Sequence, residues 1–135
     1  MFLSIYAILN RMVQKETQMD YRKMIVWQKS MRLIEMTYIL LRKLPPEELY
    51  ALSAQMRRSV ISVASNIAEG AGRGTDKDLR HFMTIARGSV TELETQFMVC
   101  ELLGYLNSDE TRPVLQILDE IRRMLSKLIL NGKIA

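Results

Sequence analysis

Residues 49–74 read LYALSAQMRRSVISVASNIAEGAGRG, and this stretch decides the fold. Its apolar side chains Leu49, Leu52, Met56, Val60, Val63 and Ile67 fall three or four residues apart. That is the period of one helix face, not the alternation of a strand. The segment Glu69-Gly70-Ala71-Gly72-Arg73-Gly74 then predicts a turn, because closely spaced glycines weaken a helix at each step. Upstream, Leu44, Pro45 and Pro46 end whatever precedes them, since a residue before proline resists the α conformation and proline has no N–H to donate. Pro46 suits the first turn of the helix that follows, with Glu47 and Glu48 at the positive end of its dipole.

The same period continues on both sides. Upstream, Met24, Trp27, Met31, Ile34, Tyr38 and Leu41 form one apolar stripe. Downstream, Thr75 and Asp78 have the spacing of a capping box. Leu79, Phe82, Ala86, Val90, Leu93, Phe97 and Cys100 then make a third stripe, ending near Gly104, where a left-handed cap is expected. Asn107 or Ser108 caps a fourth segment with the stripe Val114, Ile117, Ile121, Met124 and Leu128, closed by Asn131-Gly132. Four segments of roughly 20 to 30 residues, each about 30 to 45 Å long, are joined by short connections. They predict an all-α fold, an antiparallel up-down-up-down four-helix bundle.

Composition narrows the chemistry. The 135 residues are 48% hydrophobic and 25% charged, with six glycines and three prolines, which suits one globular domain. A single cysteine, Cys100, forms no internal disulfide, and its place on an apolar stripe predicts an inert thiol. A single histidine, His81, supplies no multi-histidine metal site and reads as a surface residue beside Arg80. Glu92 and Glu94 cannot share a helix face, and no Glu-x-x-His pair occurs, so the di-iron pattern of some bundles is missing from the sequence. The glycines before Thr75 lack the Gly-Lys-Ser/Thr ending of a phosphate loop and follow no strand pattern. The expectation is a non-enzymatic protein with no cofactor and no metal.

Met1 to Leu9 is mostly apolar but far shorter than the ~20 residues that span a bilayer. It has no basic region before it and no small-residue cleavage site behind it. Residues 1–18 read as an arm or extension ahead of a domain over 19–135 that starts at Met19, or else as a short turn packed on the body. A cytoplasmic protein without a membrane partner is expected.

The net charge of +4 is unevenly spread: +5 over residues 1–44, 0 over 45–74, −2 over 75–104 and +1 over 105–135. Candidate phosphate contacts are Arg22, Lys23, Lys29 and Arg32, then Arg57 and Arg58, then Arg73, Lys77 and Arg80 around the start of the third segment, then Arg122, Arg123 and Lys127. Asp76 and Asp78 oppose the third group. Per chain the basic surface is thin, so nucleic-acid binding requires assembly to multiply it. Base stacking has little support, with only Tyr21, Tyr50 and Tyr105 as exposed candidates.

Assembly is itself suggested by the first segment, which carries Ile25, Val26, Leu33, Met36, Ile39 and Leu40 outside its main stripe. Either a second buried face or a broadened core-facing arc accounts for them; the first predicts a homo-oligomer. The second segment has a polar stripe, Gln55, Ser59, Ser62, Asn66 and Glu69, and the third has Ser89, Glu92 and Gln96. Gln55, Arg57, Asn66, Glu69, Ser89 and Glu92 can form a hydrogen-bonded network that fixes register or a subunit contact, the alternative being a solvated polar face.

The runs Val26-Trp27-Gln28, Gln55-Met56-Arg57-Arg58-Ser59, Ser65-Asn66-Ile67-Ala68-Glu69-Gly70 and Ile85-Ala86-Arg87-Gly88-Ser89-Val90-Thr91-Glu92-Leu93-Glu94 resemble the bacterial four-helix bundle proteins encoded in intervening sequences of 23S ribosomal RNA genes. The likeness covers about residues 20 to 130. That family is in turn similar to the accessory variability proteins of diversity-generating retroelements. The resemblance implies a ring-forming homo-oligomer, a pentamer, and a partner that is RNA or DNA. It also leaves open a scaffold role beside a reverse transcriptase.

Overall fold

The computed structural model describes residues 20–132, with Ile5 besides, so the arm expected over residues 1–18 otherwise lies outside the described residues. Four helices account for most of them: α1 Ile25–Leu41, α2 Leu52–Gly72, α3 Asp76–Leu102 and α4 Ser108–Asn131. Short 3-10 turns, Tyr21–Lys23 and Pro46–Glu48, precede α1 and α2, and no strand occurs among the described residues. Among the described residues the backbones approach closely in the order α1, α2, α3, α4 and back to α1, and not across the diagonals. Lys29 meets Glu120 while Lys43 meets Glu110, so advancing along α1 means retreating along α4. Arg87 bonds Ser126 and Glu94 bonds Arg122, which gives α3 and α4 the same opposed sense. Between α2 and α3, Met56 lies by Cys100 and Ser62 by Ser89, again in opposed directions. The helices therefore alternate, up-down-up-down, around a square.

The core is drawn from one face of each helix: Val26, Leu33 and Leu41 on α1, Met56, Val60, Val63 and Ile67 on α2, Leu79, Met83, Val90, Leu93 and Phe97 on α3, and Val114, Leu118, Ile121 and Leu125 on α4. On α3 this is nearly the expected stripe, with Met83 taking the central place expected of Phe82. On α4 it is turned by about one residue, so Ile117, Met124 and Leu128 flank the core. On α1 the expectation fails. The buried positions are Val26, Ser30, Leu33, Thr37 and Leu41, while Met31 and Tyr38 are exposed and Trp27 and Ile34 half-buried. Two small hydroxyl residues disguise this stripe in the sequence. Ser30 stays satisfied by donating to the Val26 carbonyl at 2.7 Å, whereas Thr37 Oγ1 finds no partner among the described residues.

Two boundaries also differ from expectation. The Pro46 turn does not run into α2: Ala51, at φ −117° and ψ −104°, breaks the chain between them, and Leu49 and Tyr50 are exposed. Glu48 reaches forward and accepts the Leu52 N–H at 3.1 Å, closing the start of α2. The expected turn at Glu69 to Gly74 begins late, since α2 stays helical through Gly72 and only Gly74 has positive φ, at 82°. Inside that helix Gly70 is the residue that lets α3 pass close by. A Cβ there would stand 2.9 Å from Phe82 Cβ, a contact only glycine avoids.

The remaining ends follow side-chain chemistry. Thr75 caps α3 by accepting the Asp78 N–H at 3.1 Å. Asn107 and Glu110 cap α4 reciprocally at 2.8 and 3.0 Å. After α3, Gly104 at φ 77° allows Gly104 N–H to reach Glu101 and Tyr105 N–H to reach Cys100, which satisfies two terminal carbonyls.

Candidate nucleic-acid interface

Alternating helices gather the starts of α1 and α3 and the ends of α2 and α4 at one end of the bundle. Six of the twelve candidate cations cluster there: Arg22, Lys23, Arg73, Lys77, Arg80 and Lys127. The acids at that end are Asp20, Glu69, Asp76 and Asp78. Asp20 accepts from Arg22 at 3.0 Å, which holds its carboxyl below the ordinary range and raises the guanidinium. Arg73 pairs with Glu69 at 2.7 Å and lies 5.2 Å from the Phe82 ring centre. Lys23, Lys77, Arg80 and Lys127 have no ion pair among the described residues, and the Arg80 guanidinium lies against Gly132. The opposite end is acidic: Glu47, Glu48, Glu101, Asp109 and Glu110 outnumber Arg42, Lys43 and Arg112.

The other six candidates lie along the sides. Lys29 pairs with Glu120 at 2.6 Å and Arg32 with Glu35 at 3.0 Å. Arg122 bridges Glu94 and Asp119, both at 2.8 Å, and Arg123 pairs with Asp119 at 3.0 Å. These cations are already neutralised in place, and a phosphate would have to displace a carboxylate. Arg57 donates to the Leu49 carbonyl at 3.0 Å, and Arg58 is exposed with no ion pair among the described residues. The structure thus brings half of the dispersed basic residues to one end and leaves the other half along the sides.

Of the six residues expected to form a polar network, only Asn66 and Ser89 are joined between helices within the protomer, through Ser62. Arg57 turns to Leu49, Glu69 to Arg73, and Glu92 accepts from Gln96 at 3.3 Å on its own helix, while Gln55 is exposed and offers its carbonyl to Ser59. Side chains one helical turn apart find each other before they reach the neighbouring helix. What does cross from α2 to α3 is smaller: Ser62 Oγ meets Ser89 Oγ at 2.9 Å, and Asn66 Nδ2 donates to Ser62 Oγ at 3.0 Å. Lys43 and its bond to Glu110 went unrecognised in the sequence, because only the fold brings residues so far apart in the chain together.

Cys100 is fully buried and its Sγ is 3.7 Å from Met56 Sδ; burial and the nearby Glu48 and Glu101 push the thiol up to about 11. His81 is exposed and stacks edge-on against Phe82. Among the described residues no three histidine, cysteine, aspartate or glutamate side chains gather where they could hold a metal ion, and no helix is long and apolar enough to cross a membrane.

No curated protein matches the chain. The family model of the 23S rRNA-intervening sequence protein matches residues 22–127, from the 3-10 turn before α1 to the last turns of α4. With the alternating four-helix bundle, that match over most of its length means that the chain belongs to the family of 23S rRNA-intervening sequence proteins.

Proposed function

We propose that the protein is a non-enzymatic, homo-oligomeric nucleic-acid-binding protein of the rRNA intervening-sequence type, which grips phosphates through the basic end of the bundle. The uneven division of charge between the two ends carries this reading. Lys23, Lys77, Arg80 and Lys127 stand free of ion pairs among the described residues and share one end with the start of α3, whose dipole adds partial positive charge. Asp76 and Asp78 offset part of that field, so a single chain grips weakly and a ring of several chains grips through many small contacts. Contacts of this kind read backbone charge and shape more than sequence.

The test is binding of a labelled RNA hairpin and a DNA duplex to the variant Lys77→Ala/Arg80→Ala/Lys127→Ala, with Arg42→Ala/Arg112→Ala at the other end as control. Tenfold or greater loss in the first and little change in the second are expected. Equal loss in both, or binding by neither variant nor wild type at low salt, would remove the basic end as the binding surface.

A further inference from the structure

The basic end of the bundle holds more than charge. Both aromatic pairs among the described residues lie there: Tyr21 meets Trp27 edge to face with ring centres 5.3 Å apart, and His81 meets Phe82 in the same way at 5.1 Å. Both arginine–ring contacts lie there too, with Arg22 at 5.8 Å from the Tyr21 ring centre and Arg73 at 5.2 Å from that of Phe82. The end of α2 runs between the two groups. The Tyr21–Lys23 turn packs on it from the α1 side, and Phe82 approaches it at Gly70 from the α3 side. Tyrosines elsewhere keep different company: Tyr105 donates to Glu48 at the acidic end, and Tyr50 directly follows the acids Glu47 and Glu48 and Leu49 in the chain.

Packing alone does not account for this arrangement. His81 is exposed, and Tyr21, Trp27 and Phe82 are only half-buried, so ring surface stays in reach of a ligand. Edge-to-face pairing fixes how the rings are turned without covering every face. The two arginines are each held from two directions, Arg22 by Asp20 and the Tyr21 ring, Arg73 by Glu69 and the Phe82 ring. A carboxylate already answers their charge, which leaves each guanidinium as a further stacking surface more than as a phosphate grip. That grip falls to Lys23, Lys77 and Arg80. Lys77 stands one turn before His81 on the same face of α3, so a base lying on the His81 ring carries its phosphate toward that ammonium.

We infer that the basic end takes unpaired nucleotides, with bases stacked on Tyr21 and His81 and the strand's phosphates on Lys23, Lys77 and Arg80. The ligand class is single-stranded or looped nucleic acid. Bases in a regular duplex are stacked on one another and offer these rings only their edges. Every base has a flat π face, so the contact adds a preference for open strand without adding sequence reading. This deepens the nucleic-acid reading above and rests on it.

The single tryptophan, Trp27, serves as the reporter beside Tyr21. A single-stranded thymidine oligonucleotide, a DNA duplex with the same number of phosphates, and inorganic polyphosphate are titrated into wild type, His81→Leu, His81→Phe and Tyr21→Leu, with thermal melts confirming that each folds. His81 is exposed, so its variants decide the question even where Tyr21→Leu disturbs the Trp27 corner. The single strand should bind more tightly than duplex or polyphosphate and should change Trp27 emission. His81→Leu and Tyr21→Leu should each weaken it by about fivefold or more, the low end for removing one stacking ring, and leave duplex and polyphosphate binding as it was. His81→Phe keeps a ring without the imidazole and should bind the single strand as wild type does. Equal affinity for all three ligands, a preference for the duplex, Leu variants that bind the single strand normally, a Phe variant that does not, or binding that leaves Trp27 emission unchanged would overturn the stacking while leaving a charge-driven grip. No binding of any of the three at low salt defeats the nucleic-acid reading itself.

Discussion

Gly70 sets how closely α2 and α3 approach, and its neighbourhood gives a test with opposite signs two residues apart. In Gly70→Ala the new methyl meets Phe82 Cβ at 2.9 Å and Met83 Cε at 3.2 Å. Overpacking of about 1–3 kcal/mol then outweighs the roughly 1 kcal/mol that alanine adds in a helix, so urea unfolding should show a net loss. In Gly72→Ala nothing stands within 4 Å of the methyl, and stability should hold or rise by up to about 1 kcal/mol. Both glycines read as a turn in the sequence, because spacing cannot show that another helix approaches one of them. Cys100 is the converse case: its place on an apolar stripe already marked it as buried. With the thiol at about 11, it should not react with a thiol reagent at pH 8 in the native protein and should react at once in urea. Fast native labelling would contradict the burial.

At the scale of elements, the start of α4 gathers three devices in a few residues. Asn107 and Glu110 cap each other's backbone, and Glu110 also takes the Lys43 ammonium from the end of α1. The Lys43 bond first, and the Asn107 N–H second, hold the Glu110 carboxyl below its ordinary 4.5. A carboxyl depressed on folding adds stability that is whole above the unfolded value and fades as pH falls through the folded one. The urea midpoint of wild type should therefore exceed that of Glu110→Gln near pH 7, and the gap should narrow as pH falls below 4.5 and close once it passes the lowered value of the folded state. A gap that does not change with pH at all would assign the effect to packing. The Asn107 cap was readable from residue type and position. The Lys43 partnership was not, because it exists only once α1 and α4 are antiparallel. On α1 the sequence misled for a definite reason: a regular stripe of large apolar residues was present, yet the core took Ser30 and Thr37 on the adjacent arc and left Met31 and Tyr38 outside.

At the scale of the molecule, the four-helix architecture was legible because three connections carry strong breakers: Pro45-Pro46, Gly74 and Gly104. The basic end was not legible as a unit. Its cations come from four separate places in the chain, and only alternating helices bring them together. A net charge of +4 would not hold a nucleic acid firmly, so the proposed function depends on where charge lies and on how many copies share it. The salt dependence of binding to a labelled RNA hairpin tests this most directly, since the slope of log affinity against log salt counts phosphates neutralised. The account predicts measurable binding at about 50 mM salt and a slope corresponding to more phosphates than the six end cations of one chain supply. A shallow slope of one or two phosphates, or no binding at that salt, would contradict it.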